Sequence, residues 1–346
     1  MSDLRIRLSQ NAPILTAVAV FVLFYFFYNL NHPRGFSTAV LIQNSNEVFT
    51  LAMVAMAQTL PVLLGGLDLS VGAIMTLVNT IASHLLNGGP IEILFGFIVC
   101  LASGAACGFL NGCVVVYGRI QPIIATLATG AIFMGMALFL RPTPGGDVDA
   151  DLSWTATNDL YEIAATYGFA QDGEAAWFQA IAWIPVPLVL LILVAVLVWL
   201  PFARSVTGRT VYAIGSGEGA AFMSGLAIDR AKIAAFTLGG FFAGIGGLYL
   251  ALQTSSGNAD IPQAGAYTLN SIAAVVIGGT SLLGGVGSAI GSIFGALILR
   301  TISFNFRIFE IDPLMQPLFE GVVLLAAVSL GALRVLRVKN TLELFR

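Results

Sequence analysis

The sequence predicts an all-α, polytopic integral membrane protein with about ten transmembrane helices and both termini in the cytoplasm. Three observations carry that prediction. The chain is 58 % hydrophobic and only 10 % charged, too little charge to cover a soluble surface. Glycine reaches 38 of 346 residues without Gly-X-Y periodicity, which fits close-packed membrane helices better than collagen or a linker. Lys and Arg fall mostly on one set of connecting segments, as expected of cytoplasmic loops.

A helical crossing needs roughly 20 apolar residues, and ten runs qualify or nearly qualify: 12–28, 48–64, 71–86, 92–117, 121–140, 180–200, 233–252, 267–283, 287–303 and 314–333. Arg5 and Arg7 precede the first run, but no small-residue cleavage site follows Tyr28, so it reads as a span and not a secretory signal. The second and third runs, and the eighth and ninth, are joined by Gly-rich stretches with hardly any polar loop. With a cytoplasmic N-terminus, Arg5, Arg7, Arg119, Arg204, Arg209, Arg230, Lys232, Arg334, Arg337, Lys339 and Arg346 lie inside. Arg34, Arg141 and Arg307 lie outside, and Arg300 stands near a span end.

The chain 1–346 reads as one transmembrane domain with two long loops. Residues 141–179 carry Asp147, Asp149, Asp151, Asp159, Glu162, Asp172 and Glu174 against Arg141, an acidic outer loop that either docks a partner or is simply solvated. It holds a short helix with Asn158 as its N-cap. Residues 201–232 form a basic cytoplasmic loop with a second short helix around Glu218 to Leu226.

Several classes of function are excluded. The dispersed cations give no basic stripe for nucleic acid. Two histidines, His32 and His84, leave little from which to build a His-based catalytic or metal site. Neither Lys232 nor Lys339 fits a P-loop. Cys100, Cys107 and Cys113 lie in one apolar run without a C-x-x-C and read as packing residues.

The remaining signals are glycines and buried polar groups. Gly104, Gly108 and Gly112 recur every four residues on one helix, and Gly287, Gly291 and Gly295 on another; each set either packs helices closely or lets them slide in a transport cycle. Gln58, Asn79, Asn111 and Asn270 sit within apolar spans, where an unpaired polar group costs several kcal/mol. They either bond between helices or line a path, each offering a donor and an acceptor to a hydroxyl. Asp68, in Gly65-Gly66-Leu67-Asp68-Leu69-Ser70-Val71-Gly72, reads as a structural cap on the third span, with direct handling of substrate or protons as the other reading.

Four segments carry a resemblance. GGLDLSVGAIMTL at 65–77, GFLNGCVVVYGRIQPIIATLATG at 108–130, GRTVYAIGSGEGAAFMSGLAI at 208–228 and AVVIGGTSLLGGVGSAIGSIFGALI at 274–298 occur in an order similar to that of the permease subunits of ribose-type ABC sugar importers, within the broad branched-chain amino-acid permease family. The resemblance spans nearly the whole chain. It implies a non-enzymatic permease of the bacterial inner membrane that imports a monosaccharide or related polyol by alternating access. It also implies a second permease copy or paralogue, cytoplasmic ABC ATPases that carry the ATP and Mg, and a periplasmic or extracellular sugar-binding protein; this chain itself binds no cofactor or metal. Glu218, Ala220, Ala221, Ser224 and Gly225 would then form the helix that couples to the ATPase. Ala57-Gln58-Thr59-Leu60-Pro61, Phe222-Met223 and the long outer loop depart from the family pattern, and Pro61 is expected to kink the second span. The alternative function is an ion-coupled secondary transporter, which also uses broken helices and polar groups near the midplane.

Overall fold

The structure, a computed structural model, describes residues 2–168, 181–315, 317–319, 321–322, 325 and 329. Its helices are α1 (Ser2–Asn31), α2 (Thr38–Leu63), α3 (Val71–Leu85), α4 (Pro90–Tyr117), α5 (Pro122–Leu140), α6 (Ala150–Thr157), α7 (Leu160–Thr166), α8 (Val186–Arg204), α9 (Val206–Met223), α10 (Ile228–Thr254), α11 (Ile261–Ile277) and α12 (Ala289–Ile308). Among the described residues seven helices are long and apolar enough to cross a membrane: α1 from Ile14, α2, α4, α5, α8, α10 and α12. That corrects the expected ten. The third and eighth runs become α3 and α11, apolar helices too short to count alone, and the tenth, 314–333, lies largely outside the described residues.

α2 is the hub. In its span 89 % of residues are buried, against 17 % in that of α1, so α2 is wrapped by protein while α1 keeps most of its apolar surface for lipid. Around α2 pack α3, α10, α11 and α12. α4 reaches this core through α10, and glycine explains how. A Cβ on Gly104 would lie 2.6 Å from Gly240 O, one on Gly108 2.9 Å from Gly240 N, and one on Gly112 2.8 Å from Ile233 Cα. The expected stripe therefore packs backbone against backbone. The second stripe is only partly helical: Gly295 fits α12 against Ala274 of α11 and Gly291 fits it against Gly278, the residue that ends α11, whereas Gly287 precedes α12 in a loop.

Pro61 stands in the last turn of α2, and the helix ends at Leu63. With no N–H on Pro61, the carbonyl of Ala57 has no i+4 donor, and Gly239 of α10 closes on it, a Cβ there being 3.2 Å away. The end of α2 is a Schellman motif: Gly65, at φ +80, donates to Val62 O at 2.9 Å and Gly66 to Pro61 O at 2.9 Å. α11 ends the same way, with Gly279 at φ +87 donating to Val276 O at 2.9 Å and Thr280 to Val275 O at 3.1 Å. The two Gly-rich joints are thus one motif used twice.

The acidic loop folds into α6 and α7, capped by Asp149, which accepts from Leu152 N, and by Asp159, which accepts from Glu162 N. Asn158, the expected cap, instead closes the end of α6. Its better-placed neighbour Asp159 takes the β-region backbone an N-cap needs.

Candidate functional site

Three clusters occupy the two ends and the interior of the bundle. The interior one is built on the joint between α2 and α3. Asp68 is 2 % exposed, and its Oδ1 accepts from Ser70 N at 2.8 Å and Ser70 Oγ at 2.6 Å. Asn111 of α4 donates to Ser70 Oγ at 2.7 Å and accepts from Thr129 Oγ1 of α5 at 2.6 Å. Thr126 Oγ1 accepts from Leu69 N at 2.9 Å. With its amide turned so that both ends find partners, Gln58 donates to Asp68 O at 2.8 Å and accepts from Asp68 N at 3.2 Å. One loop thereby ties α2, α4 and α5 together through satisfied polar groups, the condition under which a buried network fixes a single arrangement. Asp68 turns back on Ser70, the residue before α3; the first-turn N–H of Gly72 is met by Thr268 Oγ1 of α11 at 3.1 Å.

Sequence reasoning singled out four amides, and the structure separates them. Gln58 and Asn111 lie fully buried beside Asp68. Asn79, 1 % exposed, accepts from Asn258 N at 2.8 Å, about 14 Å along α3 from Ser70. Asn270 is half-buried on α11.

Asn79 belongs to the second cluster, at the end of the bundle bearing α6 and α7. There Gly145 and Gly257 exchange two backbone bonds, at 3.0 and 2.7 Å, and join the segments that follow α5 and α10. Asn87 donates to Asp147 at 2.9 Å, and Arg141 lies 3.2 Å from the ring nitrogens of His84. At this same end Arg307 of α12 holds Glu47 of α2 through two bonds of 2.9 and 2.6 Å.

The third cluster, at the opposite end, was missed by sequence reasoning. Gly285 N donates to Leu63 O at 2.9 Å, joining the loop before α12 to the end of α2. Gly215 of α9 presses on both: a Cβ on Gly284 would lie 2.8 Å from Gly65 N and 3.0 Å from Gly215 Cα. Tyr212, also on α9, donates its hydroxyl to Gly287 O at 2.9 Å, and burial pushes its phenol up, which keeps it a donor. The available signal was the recurrence of Leu-Leu-Gly-Gly at 63–66 and 282–285, the two segments that meet here.

Beyond Gly217, where helical geometry is interrupted, α9 continues as Glu218 to Met223. Glu218, Ala220, Ser224 and Gly225 are exposed and Ala221 is buried. Glu218 is anchored to Lys232 Nζ at 2.6 Å. Phe222 and Met223 are 70 % and 84 % exposed, and a groove of about 580 Å³ runs between Glu218, Phe222, Leu226 and Asp229. Among the described residues no group of three His, Cys, Asp or Glu could hold a metal ion.

Broken apolar helices, a pinned polar interior and an exposed helix tied mechanically to both breaks define a multi-pass membrane permease. The chain belongs to the family described as the branched-chain amino acid transport system / permease component, whose model matches residues 40–328. It is therefore a transport subunit of the inner membrane with a non-catalytic role. It is 32 % identical over 285 residues to the ribose import permease protein of Bacillus subtilis, covering 82 % of each chain. It is 31 % identical to the D-allose transport system permease protein of Escherichia coli, covering 86 % of this chain and 83 % of that one. Identity to the fructose import permease protein of Rhizobium meliloti is 32 %, covering 86 % and 78 %. No solved structure matches.

Proposed function

We propose that the chain, as one transmembrane domain with both termini cytoplasmic, imports a monosaccharide or related polyol by alternating access. In this reading it pairs with a second permease copy or paralogue. Cytoplasmic ABC ATPases carrying ATP and Mg drive it, and a binding protein outside delivers the cargo. The observation that carries the reading is the junction of Gly215, Gly285 and Leu63, because it links an exposed helix to both broken-helix joints through backbone atoms alone. Glu218, Ala220, Ala221, Ser224 and Gly225 seat the ATPase, with Phe222 and Met223 as the apolar contact. Movement of that helix pulls the Leu63 to Gly66 and Gly284 to Gly287 segments, and the Asp68 network passes it on to α4 and α5. Asn270 lines the path in this state; Gln58, Asn79 and Asn111 reach cargo only when their present bonds exchange. The sugar class is supported by the relatives named for ribose, D-allose and fructose import.

The test is reconstitution of the permease with its ATPase and binding protein in vesicles. ATP on the cytoplasmic side should drive sugar accumulation that survives an ionophore, and the ATPase should co-purify with tagged permease. Accumulation by the permease alone under a cation gradient would replace this reading with ion coupling. Leu replacements at Gln58, Asn79, Asn111 and Asn270 test the path; unchanged uptake by all four removes it.

A further inference from the structure

Arg300 is a cation that the function above leaves unexplained. It lies on α12, 11 residues after Ala289 and 8 before Ile308, which places it about 16 Å from one helix end and about 12 Å from the other. Its guanidinium sits over the Tyr267 ring of α11, with Cζ 5.5 Å from the centroid. Its Nε is buried with no hydrogen-bond partner, and no carboxylate pairs with it among the described residues. Among the described residues the cations that do form ion pairs, Lys232 and Arg307, hold Glu218 and Glu47. Neighbouring polar groups on α12 need nothing further from outside: Thr301 bonds back to Leu297 O at 2.7 Å and Ser303 to Leu299 O at 3.3 Å. Arg300 has no such recourse. An ionisable side chain within a membrane helix marks a substrate or ion pathway unless something neutralises it.

The surroundings point to what would. Asn270 stands three residues beyond Tyr267, so the two share a face of α11. That face is open, with Ala266 and Leu269 exposed beside the half-buried Tyr267 and Asn270. A planar guanidinium stacked on an aromatic ring presents its N–H fork in a fixed plane, which matches a carboxylate at two points. Asn270 adds a donor and an acceptor suited to a hydroxyl. With a single unpaired charge, the site balances a monoanion better than a phosphate monoester. We infer that Arg300, Tyr267 and Asn270 form an anion-binding station at mid-depth, and that the cargo is a sugar acid, an aldonate or uronate, rather than a neutral aldose. This rests on the import reading above and narrows its substrate class.

The test uses the complete importer, permease with ATPase and binding protein, in vesicles supplied with ATP. Uptake is measured for matched labelled pairs: D-ribose and D-ribonate, D-glucose and D-gluconate, D-galactose and D-galacturonate. At least one acid should accumulate tenfold or more over its neutral partner. Arg300→Gln should lower that uptake at least tenfold while the complex still co-purifies with its ATPase, and Arg300→Lys should retain more of it than Arg300→Gln. If Arg300→Gln fails to assemble, the preference of the unaltered importer decides, because competition between unlabelled acid and aldose needs no variant. ATP-driven accumulation of neutral sugars alone, or acid uptake unaltered in an assembled Arg300→Gln, overturns the anion station and leaves the import reading standing. Accumulation driven only by a cation gradient overturns the import reading and this inference with it.

Discussion

Replacing Gly215 by alanine sets one methyl group against two backbones. Its Cβ would stand 3.0 Å from the carbonyl carbon of Gly284 and closer still to Leu63 O and Gly285 N, where ordinary contact begins near 3.4 Å. No flexible side chain is there to swing aside, so the three segments must part by on the order of 1 Å. That stretches the 2.9 Å bond between Gly285 N and Leu63 O beyond useful range. Overpacking costs about 1–3 kcal/mol and the bond about 1 kcal/mol, a sum of about 2–4 kcal/mol. Since about 1.4 kcal/mol is worth tenfold in rate, ATP-driven uptake in vesicles should fall at least tenfold. Co-purification of the ATPase should persist, because the exposed Glu218 to Met223 helix lies beyond the Gly217 break and is untouched. Gly135→Ala is the control: nothing lies within 4 Å of its added methyl, and uptake should be unchanged. If Gly215→Ala keeps both the uptake and the unfolding temperature of the parent, the junction transmits nothing and the reasoning fails.

Three further outcomes are expected. Asn111→Leu leaves Ser70 and Thr129 without their partner beside a buried carboxylate, and should cost about 3 kcal/mol, read as a lowered unfolding temperature in detergent. Gly108→Val drives α4 off α10 at the Phe236 carbonyl and should cost about 1–3 kcal/mol, visible as reduced recovery of monodisperse protein. Glu47→Gln breaks a partly exposed ion pair at the bundle end and should change stability by less than about 1 kcal/mol, an effect that shrinks further in high salt.

The long spans were legible because lipid demands an uninterrupted apolar run, and nothing else in a sequence looks like one. The joints were not, since a Schellman turn is written in two glycines and bonds only to backbone; the pairs Gly65-Gly66 and Gly278-Gly279 announce a break but not its geometry. Arg300 shows the cost of a misplaced boundary. The ninth run was ended at 303, which left Arg300 near an edge, yet Phe304, Phe306 and Ile308 carry α12 onward and put Arg300 close to its middle. Asn305 and Arg307 disguised that continuation, the latter because its charge is met by Glu47, 260 positions away. Of the site, the amides could be named as unusual but not sorted, because whether Asn111 faces a path or Ser70 depends on how α4 and α5 pack around the joint. Tyr212 and Gly215 carried no signal of their own: one is an ordinary aromatic, the other one of 38 glycines.

The reciprocal bonds between Gly145 and Gly257 staple together two stretches separated by more than a hundred residues, and Asn79 holds the adjoining amide of Asn258. The trailing ends of α5 and α10 and the middle of α3 therefore travel as one piece. Deuterium exchange at those three amides becomes a clock for the transport cycle: they stay dark to solvent until the staple lets go, and they light up together when it does.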